Sequence, residues 1–276
     1  MTEELLSLEA LLLARAWLYE LFHKALGGAP TAELLELASS QATEDAADEY
    51  ARPGNGMAEL AALARGLRGR LGREELVERC AGEYNRLLVG LGRPGAPLWE
   101  SAYSGEGALF GDGVFSVRKA LAARGLRPKR RGSVPEDHAS LLAGFMADSA
   151  RRCLSALDCE RAEEVARLLE EDATFASEHL GGWLCEAASL AGDGVFYPQM
   201  IAGLASLASA DVTFAREGAA WLREAADGGR VLDGELPDEA REAFGSLRRE
   251  LDRLAALRLP FLDEMELEPI SANAIP

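Results

Sequence analysis

β-Branched residues are scarce: three Ile, nine Val and five Thr in 276 residues are too few to build an extensive pleated sheet. Ala, Leu, Glu and Arg abound instead, and these favour helix. With 48% hydrophobic residues the chain fills one large domain or two smaller ones, so the expected fold is all-α. No apolar run approaches the roughly twenty residues that span a bilayer. The opening Thr2, Glu3 and Glu4 has none of the basic start, apolar run and cleavage site of a secretory signal. A cytoplasmic chain without membrane insertion is therefore expected. Basic residues are outnumbered, 29 against 46 acidic, for a net charge of -17. Such a chain repels polyphosphate, which argues against nucleic acid as a partner. A cationic partner suits it better, although an acidic surface also serves solubility alone. Cys80, Cys153, Cys159 and Cys185 form no Cys-x-x-Cys pair and no zinc spacing, so reduced thiols are expected. Three histidines argue against a histidine-built metal centre, and His23 and His179 fall at helix ends, where a cation complements the dipole. P-loop, dinucleotide fingerprint, nucleophile elbow and His-Glu-x-x-His are all missing. No catalytic residue, metal ligand or cofactor is assigned.

What the chain does have is helical periodicity. The first helix has Thr2 to cap it and stops at Gly27-Gly28 and Pro30. Leu5, Leu8, Leu12, Trp17, Leu18, Leu21 and Phe22 make it apolar on several sides, which predicts a central position in a bundle. A second helix starts at Thr31, and the polar stretch 39–56 reads as loop. The spacings Met57 to Leu71 and Leu76 to Leu88 predict a helical hairpin. Residues 90–113 read as a long ordered loop; loops of this length are usually functional or disordered. Trp99, Tyr103 and Phe110 argue that it packs against something. A helix from Val114 stops at Gly125, and Ser133 with Glu136 forms a capping box for a helix carrying Asp137 and His138 in its first turn. Further helices are expected over 141–157, 165–180, 183–190, 197–207, 214–226 and 239–257, before a short acidic tail from Pro260. Gly-Asp-Gly-Val-Phe occurs at 111–115 and 192–196; Asp112 and Asp193 are read as caps of the helices that follow, not as part of a phosphate cradle.

Asp137-His138 is an adjacent acid and imidazole, able to act as a counter-ion pair or as general acid and base. Neighbouring helical residues point about 100° apart, so Asp137 equally serves simply to favour the positive end of a helix. Upstream stands Glu83-Tyr84-Asn85-Arg86-Leu87-Leu88-Val89-Gly90, then Pro94-Gly95-Ala96-Pro97-Leu98-Trp99-Glu100-Ser101-Ala102-Tyr103. This order, followed by Asp-His, resembles the TorD/DmsD/NarJ-like redox-enzyme maturation chaperones. Phe175, His179-Leu180, Trp183 and Phe196-Tyr197 are similar to a second block of that family. The resemblance covers residues 83–200 and extends to the first helix.

It implies a TorD-like multi-helix bundle of about ten or more helices in two closely packed subdomains, 1–131 with the 90–113 loop and 132–276. It further implies no catalysis of its own. The implied partners are the catalytic subunit of a molybdenum- or tungsten-pterin oxidoreductase and its twin-arginine signal peptide, held until the cofactor is inserted. The chain is expected as a monomer or a helix-exchanged homodimer. The implied peptide contacts are Pro97, Trp99, Glu100, Ser101, Tyr103, Asp137 and His138, with Glu83 as a further carboxylate. Two guanidiniums followed by an apolar run need carboxylates beside an aromatic or aliphatic groove. Local roles stay open: Pro97 as a loop former, Trp99 as a core plug, Glu83 or Glu100 paired with Arg86 or Arg93. The resemblance departs at Leu142 and Gly144, where acidic residues are expected, which would strip negative charge from the groove. The basic island Arg118, Lys119, Arg124, Arg127, Lys129, Arg130 and Arg131 reads as a solvated face or as a contact for an acidic client surface. Two competing readings are a nucleotide- or pterin-handling maturation factor acting through Asp137 and His138, and a non-catalytic scaffold bridging subunits. The first lacks the backbone nest or lysine that phosphate binding needs.

Overall fold

The computed structural model describes residues 2–53, 55–69, 73–90, 94–104, 112–227 and 237–270. Helix α1 (Thr2–Gly27) is the axis of the molecule: Leu12, Leu13, Trp17, Leu18, Leu21 and Phe22 are fully buried. A helix apolar all round has no solvent face to offer. Around it pack α3 (Gln41–Tyr50), α7 (Ala139–Asp158), α10 (Tyr197–Asp227) and α11 (Asp238–Ala256). The predicted central position is what the structure has.

Helix α2 (Ala32–Ala38) is capped by Thr31, whose hydroxyl accepts the Leu34 N–H at 3.2 Å. The polar stretch read as loop contains α3, capped by the Ser40 hydroxyl on the Thr43 N–H. Its buried face is Thr43, Ala46, Ala47 and Tyr50, a helical stripe without a single Leu. Thr43 is tolerated there because its hydroxyl donates to Leu37 O at 2.8 Å and accepts from Trp17 Nε1 at 3.0 Å. Helix α4 (Met57–Leu67) packs on α3 and α10, while α5 (Arg73–Tyr84) lies against α2 and α10, so the expected α4/α5 hairpin is replaced by an α3/α4 pair. Both members of that pair bury alanines, which lets their backbones approach. Helix α5 continues into a π-helical turn, Asn85–Val89.

Helix α6 (Asp112–Ala123) is followed by Gly125 at φ +69°, a left-handed conformation that favours glycine. Strand β1 (Leu126–Pro128) pairs antiparallel with β2 (Leu267–Pro269), so part of the acidic tail is tied to the body. Between α7 and α10 come α8 (Ala162–His179) and α9 (Trp183–Ala191), giving eleven α-helices among the described residues. The fold is all-α apart from this small ribbon. The helices expected over 197–207 and 214–226 are one helix of 31 residues, α10. Its polar middle does not break it because Asp211, 1% exposed, is held by Arg15.

That pair belongs to a buried polar network. Arg15 Nε donates to both oxygens of Asp211 at 2.8 and 3.0 Å, and Tyr19 and Tyr50 donate to the same carboxylate. Arg15 Nη2 lies 2.9 Å from Asp172, whose other oxygen accepts from Ser149 and Arg124. Two guanidiniums balance two carboxylates, which makes their burial tolerable. Around them runs one contiguous apolar core, from Leu8 to Leu262, crossing residue 131 without interruption.

Candidate functional site

The loop from Pro94 to Ser104 and the start of α7 are stitched together by main-chain bonds. Ala139 N–H donates to Leu98 O at 2.7 Å, Trp99 forms a β-bridge with His138, and Glu100 N–H donates to Asp137 O at 3.2 Å. Residues 100–102 form a 3-10 turn whose Ser101 N–H donates to Asp137 Oδ2 at 2.8 Å. Tyr103 folds back so that its hydroxyl donates to Pro97 O at 2.8 Å, and its ring lies 5.5 Å from that of Trp183. Seven of the eight expected site residues, Pro97, Trp99, Glu100, Ser101, Tyr103, Asp137 and His138, thus join in one rim. Pro97 is buried there, whereas Trp99, Tyr103 and Trp183 are partly exposed.

Glu100 belongs to the same rim but faces α8: its carboxylate lies 3.0 Å from His179 Nδ1, and His179 Nε2 is 3.2 Å from the Ser116 hydroxyl. Trp183 Nε1 donates to His179 O at 2.8 Å. His179 therefore binds the loop to α6 and α8 rather than merely completing a helix end.

Helix α7 does not begin at Ser133. It begins at Ala139, with His138 as its cap, and Asp137 lies ahead of the helix. The Ser133–Glu136 capping box fails because Glu136 accepts from Arg118 Nε at 2.9 Å and His138 N–H closes a turn on Pro135 O. The His138 imidazole takes over: Nδ1 accepts the Ser140 N–H at 3.2 Å, so the neutral ring carries its proton on Nε2. Burial drives the His138 pKa down to about 3, keeping the ring neutral. Asp137 is 0% exposed, and burial pushes its carboxyl above the usual range, opposed by the bond from the Ser101 N–H. Its Oδ1 and the Ser101 hydroxyl are buried with no hydrogen-bond partner among the described residues.

Glu83 is engaged elsewhere. Its carboxylate accepts the N–H groups of Val195, Phe196 at 2.9 Å and Tyr197 at 3.0 Å, so it caps α10 in the place expected of Asp193. A Cβ on Gly194 would stand 2.9 Å from that carboxylate, so the close approach requires glycine. The Asp112 side chain lies outside the described residues. Leu142 is fully buried, and Gly144 lies under the His23 ring, where an added Cβ would meet Nδ1 at 3.0 Å. Leu142 is thus spent on the core and Gly144 on the close approach to His23 of α1, so neither position offers a place for an acid on the rim. The basic island is largely consumed inside the molecule: Arg118 pairs with Glu136, Arg124 with Asp172, Arg127 with Glu268 and Lys129 with Glu266.

Among the described residues no group of three or more His, Cys, Asp or Glu is arranged to hold a metal ion, and no helix is long and apolar enough to cross a membrane. Sequence reasoning missed the Arg15–Asp172–Asp211 network. The one signal was Arg15 itself, a charge inside the most apolar helix; its partners lie at separations that no local pattern reveals.

These features define an all-helical bundle in which a loop and a helix start form one partly exposed aromatic rim. The chain belongs to the nitrate reductase delta subunit family, whose model matches residues 51–189. It is similar to the chaperone protein TorD of Vibrio cholerae serotype O1. Identity is 28% over 112 residues, covering 41% of this chain and 50% of that protein, in both an Ogawa strain and an El Tor Inaba strain. The chain thus spans about half the length, 50%, of the curated relatives it matches. Comparison with solved structures finds no match.

Proposed function

We propose that this protein is a cytoplasmic chaperone that binds the twin-arginine signal peptide and the apo form of a molybdenum- or tungsten-pterin oxidoreductase, without catalysis of its own. It aids cofactor insertion and prevents premature export. The observation that carries the reading is the rim. Residues 94–104 and 137–140 lie within the family match over 51–189 and are bonded into one unit that leaves the faces of Trp99, Tyr103 and Trp183 partly open. Aromatic faces on a preorganised frame suit guanidiniums and apolar side chains. Most rim carboxylates are engaged internally, so the aromatic faces are the main contact there.

Fluorescence anisotropy of a labelled twin-arginine peptide tests this. Trp99→Ala is expected to weaken binding about tenfold, the loss of one aromatic anchor, with an unchanged circular-dichroism spectrum. Equal affinity for wild type and variant would remove Trp99 from the site.

A further inference from the structure

Two clefts outside the rim flank Glu49, which stands in the wall of both. One, of about 620 Å³, lies between α3, α9 and α10 beside α1 and is lined by Leu11, Tyr50, Ala210 and Phe214. The other, of about 410 Å³, lies between α3 and α11, with Ala10 and Ala14 of α1 in its lining beside Phe244 and Leu247. Leu11, Phe214, Phe244 and Leu247 pack on the core yet stay only partly buried. Side chains of this kind are usually covered, and apolar surface left open inside a groove marks a place for another chain.

The charged side chains lining the two clefts are acidic apart from Arg52. Asp45, Glu49 and Glu250 line the second cleft, and Glu49 and Glu217 the first. One guanidinium opposes them, that of Arg52, and it is turned to the backbone carbonyls of Glu49 and Ala51. Neither Glu49 nor Glu217 has a cationic side-chain partner among the described residues. In a chain of net charge -17, unpaired carboxylates beside an apolar floor select a cation that carries apolar surface with it.

We propose that the two clefts, which share the wall at Glu49, act as one groove that seats a segment of a partner polypeptide in which basic side chains adjoin an apolar run. The basic heads lie on Glu49 and Glu217, and the apolar side chains cover Leu11, Phe214, Phe244 and Leu247. For its occupant this rests on the peptide-binding reading above, under which the segment is the client's leader. Its location rests on its own lining, and it is a second contact for that leader in addition to the Trp99 rim.

Two native thiols supply the test on the full chain. Cys185 is exposed and lines the first cleft, whereas Cys159 is exposed at the far end of α7, outside it. Alkylation rates of both are measured with peptides carrying an arginine pair, a lysine pair or a glutamine pair before the same apolar run. The arginine peptide is expected to slow Cys185 at least fivefold and to leave Cys159 unchanged. Glu49→Gln combined with Glu217→Gln raises the half-protecting concentration about fivefold, as two exposed ion pairs would. Thr213→Trp, which fills the cleft from an exposed position, abolishes protection.

Peptide binding seen by anisotropy with no slowing of Cys185 overturns the groove and leaves the leader-binding reading intact. Equal protection by arginine and lysine peptides upholds the groove and removes twin-arginine selectivity. Protection without peptide that rises with protein concentration puts a second copy of the chain there and overturns the proposal. If none of the peptides binds, groove and reading fall together.

Discussion

Asp137 and His138 carry ionisable groups in places water does not reach, and their titration is where the site is most open to measurement. Burial raises the Asp137 pKa, so the folded chain holds that proton more tightly than the unfolded chain. Its contribution to stability therefore declines as pH rises through the window above the ordinary carboxylate value of about 4. Asp137→Asn keeps an oxygen for the Ser101 N–H and loses the charge. In urea unfolding at neutral pH it is expected to be at least as stable as wild type. Asp137→Ala leaves that N–H without an acceptor and is expected to cost about 1–3 kcal/mol. His138 runs the other way. Its folded pKa of about 3 lies below the unfolded value of about 6.5, so stability present above that value is lost as pH falls through the window. His23, lowered chiefly by burial, adds to the same trend. His138→Asn, which retains a capping side chain, is expected to flatten the fall in stability between pH 7 and 5 by on the order of 1–2 kcal/mol. An unchanged slope would mean that His138 titrates in the fold as it does in the unfolded chain.

At the level of elements, Glu83 has the clearest consequence. It holds the first N–H groups of α10 from another helix, α5. Glu83→Ala is expected to lower stability by about 1–2 kcal/mol, and Glu83→Gln, which keeps an acceptor, by less; thermal melts followed by circular dichroism decide this. The glutamate is plain in the sequence, but its role is not, because the cap and the capped helix lie more than a hundred residues apart. Periodicity read helices rich in Leu well, as for α1 and α7, and failed where the buried stripe is small, as in α3 with Ala46 and Ala47. It also broke α10 at Asp211, since a polar residue in a helical run looks like a boundary until its partner Arg15 is known. The rim was half legible: motif order brought Trp99 to Tyr103 together with Asp137 and His138, but the bonds that occupy them depend on tertiary contact.

For the molecule as a whole, composition was enough to read an all-α fold, and charge enough to read an acidic surface. The placement of charge was not readable, because the basic island is largely spent on internal pairs. Arg15 ties α1 to α8 and α10 at the centre of the bundle. Arg15→Ala takes the guanidinium from buried Asp211 and leaves Asp172 with Arg124 alone, and is expected to cost about 3–5 kcal/mol, measurable as a lowered urea midpoint with the wild-type slope. A smaller loss than this would mean that water enters the core to solvate Asp172 and Asp211. The most direct test of the chaperone reading is calorimetric titration of the full chain with a synthetic leader peptide carrying an arginine pair, beside the same peptide with a glutamine pair. Saturable one-to-one binding of the arginine peptide, at least tenfold tighter than the glutamine peptide, is the predicted result. Equal affinities, or no heat from either peptide, would contradict it.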